Sequence, residues 1–527
     1  MRMMRRASHA RGVQHMQPAP ASKGDTIANA DARQLHHSVA TLRREVAERG
    51  ARTLAAWKPT LAGSGFVPAA TNLAHYLALR RHDLSALQPA LSALGLSSLG
   101  RSEARVLTAL DALLATLSRL AGMPHSHYPD AVALAAGPAL LAAAQAALFG
   151  PAAPDGPTTR IMVTMPSEAA DGPELIGRLL AAGMNCARIN CAHDTPAGWA
   201  AMISHIRTAS KALGRDCRVL MDIAGPKCRI ETVQGPAKLR LHRGDRFALL
   251  RNAEAAASDD AVFATLNFPD VLDSLLPGVA VWINDGKIGA RVLQCSAGRA
   301  LLEVFSARAK GEKLKPEKGV NLPDTELHLA PLQAADLAAL DVIAAEADLV
   351  GFSFVQRPAD ILLLDQELAK RRPGRPPQPV VLKIETPLAV HNMPQLIVTA
   401  AATRPVAVMI ARGDLAVELG FSRMAEIQEE LLWLCEAAHV PVVWATQVLD
   451  GLVAEGSPSR AEATDAAMSQ RAECVMLNKG PFMVEGIQFL RDILHRMDRH
   501  QSKKSARFGP LQSWQEPEII LARSDRA

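Results

Sequence analysis

The sequence predicts a (β/α)8 barrel that carries an inserted small β-domain and follows an α-helical region. Three observations support this. Eight short apolar runs of the kind buried in parallel sheets recur after residue 160, most of them followed by a helical stretch. The gap between the third and fourth runs is too long for a loop and holds alternating segments of its own. Before residue 150 the texture is different, rich in Ala and Leu, with apolar residues recurring at intervals of three and four.

Residues 1–28 are expected to be a disordered tail. The start, Met1 to Gln17, is basic and free of acids like a mitochondrial transit peptide, but no amphipathic pattern continues it, so the tail is the preferred reading. Residues 29–150 read as a helical domain. Leu73-Ala-His-Tyr-Leu77 and Val106-Leu-Thr-Ala-Leu110 each place apolar side chains on one helix face, and Gly95, Gly100 and Gly122 punctuate the helices. Gly150 to Pro157, rich in Gly, Pro and Ala, reads as a linker. The barrel is assigned to 158–229 and 319–500. Its strands are expected at Ile161–Thr164, Met184–Asn190, Val219–Asp222, Leu349–Phe354, Val380–Ile384, Val406–Ile410, Val440–Ala445 and Cys474–Leu477. Residues 230–318, with Lys238-Leu-Arg-Leu241 and Val279-Ala-Val-Trp282, are read as the inserted β-barrel domain, and 501–527 as a polar tail.

A length of 527 residues calls for two or three domains. With 49% hydrophobic and 21% charged residues the composition is that of an ordinary soluble protein, and a net charge of +5 gives no reason to invoke nucleic acid. The seven cysteines include no CxxC pair and no zinc spacing, which points to reduced thiols and a cytoplasmic setting. No membrane span is expected, on the reading that no apolar stretch of 18 or more residues is free of charges. Gly95 to Glu103 resembles a helix–turn–helix join, but packing or oligomerisation is favoured over nucleic-acid binding, and self-association into a homo-oligomer is left open.

In a (β/α)8 barrel, catalytic groups sit at the C-terminal ends of the strands. The polar residues ending these runs are therefore the candidates: Arg188 and Asn190, Asp222, Lys383 and Glu385, Gly413 and Asp414, and Thr446. Two cations, three carboxylates and a hydroxyl at one mouth suit a phosphate-bearing substrate and a hard divalent metal, for which Glu385 and Asp414 on adjacent strands are the oxygen donors. Lys383 beside them would neutralise charge on a phosphoryl group in flight. A structural salt bridge is the competing explanation for Arg188 or Asp222 alone. It is much weaker for Lys383, Glu385 and Asp414 together, because burying three charges without function is costly.

The motifs Thr159-Arg-Ile-Met-Val-Thr164, Gly183-Met-Asn-Cys-Ala-Arg188-Ile-Asn190, Asp222-Ile-Ala-Gly-Pro226, Lys318-Gly-Val-Asn-Leu-Pro323, Ser353-Phe354, Lys383-Ile-Glu385, Ala411-Arg-Gly-Asp-Leu415, Ala445-Thr-Gln447 and Pro458-Ser-Arg-Ala-Glu462 occur in the order found in pyruvate kinases. Residues 158–480 thus resemble that family, whose lid is likewise inserted after the third strand. The resemblance implies phosphoryl transfer from phosphoenolpyruvate to ADP, with Mg2+ or Mn2+ as the metal. By it, Arg188 and Lys383 would hold the phosphoryl group and Glu385 and Asp414 the metal. Gly413, Asp414 and Ser353 would contact the substrate, and Thr446 would lie beside the enolate carbon. His193 and Arg229 would lie near the nucleotide phosphates, and Asn190 and Asp222 at the monovalent-cation site.

The sequence also departs from the family. Ala192 and Ile223 replace a Ser and a Thr of the cation site, and Lys227 stands where potassium-dependent members carry Glu. A lysine ammonium supplies one positive charge where the ion would sit, so K+ is not expected to be required. Ala224 replaces a lysine, Asp194 a glycine, and Asn478-Lys-Gly-Pro481 the usual Ser-Gly-Glu-Thr. The family's C-terminal effector domain is expected to be absent, and with it regulation by sugar phosphates. Two alternatives remain at this stage: a metal-dependent enolpyruvate aldolase or lyase on the same barrel, and a non-catalytic phosphoenolpyruvate-binding regulatory protein.

Overall fold

The structure, a computed structural model, describes residues 23–507 apart from 125–126, 154, 237, 258–259, 297 and 504. All eight apolar runs are strands of one closed barrel: Arg160–Thr164, Cys186–Asn190, Arg218–Asp222, Leu349–Phe352, Val380–Ile384, Val406–Ala411, Val442–Ala445 and Cys474–Leu477. Each is parallel to the next, and the eighth closes on the first with Arg160 opposite Cys474. The helices between them start where the sequence supplies caps. Thr195 and Thr386 accept from the amides of Gly198 and Ala389, each with a proline in the first turn, and Ser459 and Glu462 form a reciprocal capping box.

The barrel interior is filled by Met162, Cys186, Leu220, Leu349, Val381, Met409, Val443, Cys474 and Met476, so it is a packed core. Leu148 and Phe149 join this cluster from outside the barrel, and the Cys186 thiol meets the Phe149 carbonyl at 3.7 Å. Cys186 and Cys474 begin their strands, so Leu148 and Phe149 seal the N-terminal end, opposite the mouth.

Five helices precede the barrel: α1 (Lys23–Trp57), α2 (Val67–Leu79), α3 (Leu87–Ala93), α4 (Val106–Leu120) and α5 (Ala131–Phe149). Helix α1 begins at Lys23, so 23–28 are helical where a tail was expected. The run from Asp25 to Ala32 contains no proline and simply extends the helix. The remainder of that expected tail lies outside the described residues. The helical layer is fastened to the barrel helices by hydrogen bonds from Trp57 Nε1 to Gln395 Oε1 (2.9 Å) and from Asn72 Nδ2 to the Ala437 carbonyl (2.8 Å), and the two share one apolar core.

Helix α5 corrects one expectation. Its 19 residues carry no charge and are long and apolar enough to cross a membrane by length and composition, although such a stretch was not anticipated. The reading missed it because alanine dominates the run. Gly137, Leu141, Leu148 and Phe149 are nevertheless buried in the fold, and the last two seal the barrel floor.

The insertion forms a seven-stranded sheet around its own core of Phe247, Leu249, Val281, Ile288, Leu302 and Val304. It runs from Ile230 to Asn321, three residues beyond the expected boundary, because Val320–Asn321 pairs antiparallel with Ala280–Ile283. At the other end, Gln501–Ser502 and Ser505–Ala506 pair as a short hairpin where a polar tail was expected; residues 508–527 lie outside the described residues.

Candidate active site at the barrel mouth

A cavity of about 200 Å3 opens at the C-terminal ends of the strands. Its lining includes Arg188, Asn190, Lys227, Arg229, Ser353, Lys383, Glu385, Asp414 and Thr446. Nine of the residues singled out in the sequence are thus brought to one place by six different segments. Asp222 lies behind the wall, fully buried, and His193 stands outside it on an exposed turn.

The wall around Lys383 is a continuous ion network. Arg188 is bonded through Nε to Asp222 Oδ2 (2.8 Å) and through Nη1 to Thr164 Oγ1 (3.0 Å). Lys383 donates to Ser353 Oγ (2.7 Å) and lies 3.4 Å from Asp222 and 3.3 Å from Glu385. Ser353 passes its own hydrogen to the Ile223 carbonyl (2.7 Å), and the Phe354 amide donates to Glu385 Oε2 (2.6 Å). Burial alone would lower the Lys383 ammonium, but Glu385 and Asp222 outweigh it and its pKa is raised. Burial likewise acts to raise Asp222, yet Arg188 and Lys383 hold it below the usual carboxylate range. Glu385 is raised, first by burial and then by the Asp414 charge, with Lys383 opposing.

Two glycines are required by this packing. A side chain at Gly351 would place its Cβ 1.9 Å from Asp222 Oδ1. Gly225 has φ +67°, and a Cβ there would lie 2.8 Å from the Ser353 carbonyl.

The carboxylates of Glu385 and Asp414 face the same cavity from adjacent strand ends. Among the described residues no group of three or more His, Cys, Asp or Glu forms a metal-binding cluster. A pair of carboxylates fits Mg2+ or Mn2+, which usually takes only one or two from the protein and the rest from substrate and water. The mutual effect of the two anions on Glu385 fits a cation between them.

Three placements differ from the sequence reading. Lys227 gives its ammonium to both oxygens of Asp414, at 2.8 and 2.9 Å, whereas Asp222 Oδ1 has no hydrogen-bond partner among the described residues and Asn190 Oδ1 accepts from the Ala192 amide. The Gly413 amide, expected to face a substrate carboxylate, donates to Thr446 Oγ1 at 2.8 Å. The carbonyl of Ile223, which replaces a Thr of the family's cation site, accepts from Ser353 Oγ.

Sequence reasoning missed several supports. Phe354, at φ +54°, fixes Glu385 through its amide. Asp336, on the first turn of the helix Ala334–Glu346, accepts from the amides of Ala224 and Gly225 and so holds the third strand's exit loop. Arg412 binds Asp465 and the Thr446 carbonyl (2.7 Å) and stacks over Trp444, holding Thr446 at φ +66°. A first-turn acid and a motif arginine were visible, but their partners lie far along the chain.

Where the inserted domain joins the barrel, Arg229 donates to the Glu317 carbonyl (3.0 Å), and its amide is held by Asn267 of that domain. The His193 imidazole is lowered by burial and then by Lys479, Arg229 and Arg188. Asp194, in place of the expected glycine, adopts φ +66°, a left-handed conformation that Asp tolerates better than most residues.

Comparison with known proteins agrees with this architecture. Residues 157–482 match the pyruvate kinase barrel domain. A pyruvate kinase of Methylorubrum extorquens is 34% identical over 349 residues, which cover 65% of this chain and 69% of that protein. One of Agrobacterium vitis is 30% identical over 368 residues, 68% and 71% of the two chains, and one of Bacillus licheniformis 29% over 361 residues, 66% and 59%. The matched region contains every strand end that contributes to the cavity, and the chain therefore belongs to the pyruvate kinase family.

Proposed function

We propose that the chain catalyses transfer of the phosphoryl group of phosphoenolpyruvate to ADP, giving ATP and, after protonation of the enolate, pyruvate. The observation that carries this reading is the convergence of Arg188, Lys383, Glu385 and Asp414 on one cavity, with the buried Lys383 and the half-buried Arg188 placed among three carboxylates. Family members act on these two substrates with a divalent metal. Here Glu385 and Asp414 would hold Mg2+ or Mn2+, which would supply charge neutralisation at the phosphoryl oxygens.

Lys383 would do the same for the group in flight, since its neighbours keep the ammonium protonated at neutral pH. Arg188, locked to Asp222, would orient the phosphoryl oxygens without reorganising during transfer. Thr446 faces the cavity with its hydroxyl and is aimed by Arg412, which suits a role beside the carbon that takes a proton. Arg229 and His193 would meet the nucleotide phosphates. Ser353 would support Lys383 more than it touches substrate, since its hydroxyl is already committed on both sides.

Lys227 supports the expectation that K+ is not required, because it brings a positive charge into the cavity that Asn190 also lines, although its partner there is Asp414. A cytoplasmic enzyme that touches neither membrane nor nucleic acid is the setting this reading favours. The test is pyruvate formation from phosphoenolpyruvate and ADP with Mg2+, with and without K+. Turnover indifferent to K+ is expected. Strong activation by K+ would remove the role of Lys227. No turnover from folded protein that still binds phosphoenolpyruvate would favour a binding protein instead.

A further inference from the structure

Asp414 gives both carboxylate oxygens to the Lys227 ammonium, whose charge opposes a divalent cation on the same carboxylate. The two contacts, at 2.8 and 2.9 Å, engage both oxygens of the group assigned to the metal. Lys227 is held there from three sides. Its Nζ lies 6.0 Å from the centroid of the Phe354 ring, and its stem passes so close to Gly319 that a Cβ at 319 would stand 3.0 Å from the lysine Cε. Its backbone belongs to the lid hinge, since its carbonyl accepts from Asn267 Nδ2 at 3.0 Å and Arg229, two residues on, bridges to Gly319.

The charge balance gives this contact a consequence. Arg188, Lys227 and Lys383 match Asp222, Glu385 and Asp414 one for one. Arg229, on the same lining, adds a further positive charge, so a divalent cation entering alone would meet no uncompensated negative charge and an occupied ligand. If a phosphorylated carboxylate enters as well, its negative charges compensate both the incoming cation and the displaced ammonium. The lysine stem is flexible and lines the same cavity, so the freed ammonium has an anion to turn to.

We infer that Lys227 is a place-holding cation that competes with the divalent metal for Asp414, so that the metal binds firmly only together with its anionic substrate. Lys227 is thus a positioning residue that ties metal loading to substrate loading at the lid hinge. This inference rests on the proposed function for the identity of the anion and of the metal ligands.

The experiment is a Mn2+ titration of the full chain, with free Mn2+ followed by electron paramagnetic resonance, with and without phosphoenolpyruvate and without ADP. In the wild type, phosphoenolpyruvate should tighten Mn2+ binding by about ten-fold or more. Lys227→Met should bind Mn2+ about ten-fold more tightly than the wild type when no anion is present, and should gain much less on adding it. Lys227→Gln, one bond shorter but still polar at its end, should behave like Lys227→Met, and the melting curve of each variant shows whether it is folded. Folded variants that bind Mn2+ alone as weakly as the wild type, or more weakly, overturn the inference and leave the kinase reading standing. A wild type that binds no Mn2+ under either condition removes the metal assignment itself.

Discussion

The two sides of the barrel mouth hold their charges in different ways. On the proposed phosphoryl side Asp222, Lys383 and Glu385 are buried and Arg188 half-buried; they are mutually bonded and backed by Ser353 and Phe354. On the nucleotide side His193 is exposed, and Arg229 answers to a lid carbonyl. The difference is one of preorganisation. A group that stabilises charge developing in a transition state must already be in place, because reorganising at that moment would consume the benefit. A group that binds a mobile, solvent-carried phosphate can adjust as the lid moves. The family motifs are intact on the rigid side, whereas Asp194, Ala224 and the segment after the eighth strand depart from them near the looser one.

The sharpest way to break this contrast is to remove the cation that joins the rigid network. Lys383→Met should lower turnover by about a thousand-fold or more, while Mn2+ binding with phosphoenolpyruvate persists because Glu385 and Asp414 remain. Turnover within ten-fold of the wild type would take Lys383 out of the catalytic set and make the network merely structural.

A second, smaller effect tests how firmly the rigid side is tied to the lid. Glu418 ends the helix Arg412–Leu419 and accepts from Asn321 Nδ2 of the lid sheet at 2.9 Å. Burial pushes its carboxyl up to about 7; Asn321 opposes the shift and Asp414 adds to it. A raised folded-state pKa gives stability that is fully present below the unfolded value and is lost as pH rises to the folded one. The loss should fall between roughly pH 4.5 and 7 and approach about 3 kcal/mol at most. Glu418→Gln should remove that slope, so thermal melts at pH 5 and pH 8 should differ less in the variant than in the wild type. Equal pH dependence in both would mean that Glu418 ionises as if in water.

Much of the fold was legible because barrel strands are short, apolar and regularly spaced, and several carry polar residues at or just beyond their C-terminal ends. Lys383-Ile-Glu385 shows the logic: alternation places the isoleucine away from two side chains that share a cavity. The lid was legible from its length and its alternating segments. Other features depended on distance along the chain, which a local pattern does not encode. Nothing near Lys227 announces Asp414, 187 residues later, and nothing near Asp336 announces the amides at 224 and 225. The end of α5 as the barrel floor was hidden for the same reason. Its Ala-rich run has nearly the same texture on every face, so neither its charge-free length nor its buried edge stood out.

The smallest effect bears on the loose side and completes the contrast. Arg229 lines the cavity but donates to a backbone carbonyl of the lid, so its removal leaves no buried charge behind. Arg229→Ala should raise the KM for ADP by about ten-fold, the worth of one lost charged contact, and leave the KM for phosphoenolpyruvate within about two-fold. The asymmetry between the two constants is the informative quantity, since a misplaced lid would raise both. If the phosphoenolpyruvate constant rises in step with that for ADP, Arg229 works through the hinge it shares with Asn267 and Gly319. The two sides of the mouth would then be one mechanical unit, and the distinction between a rigid and an adjustable half would fail.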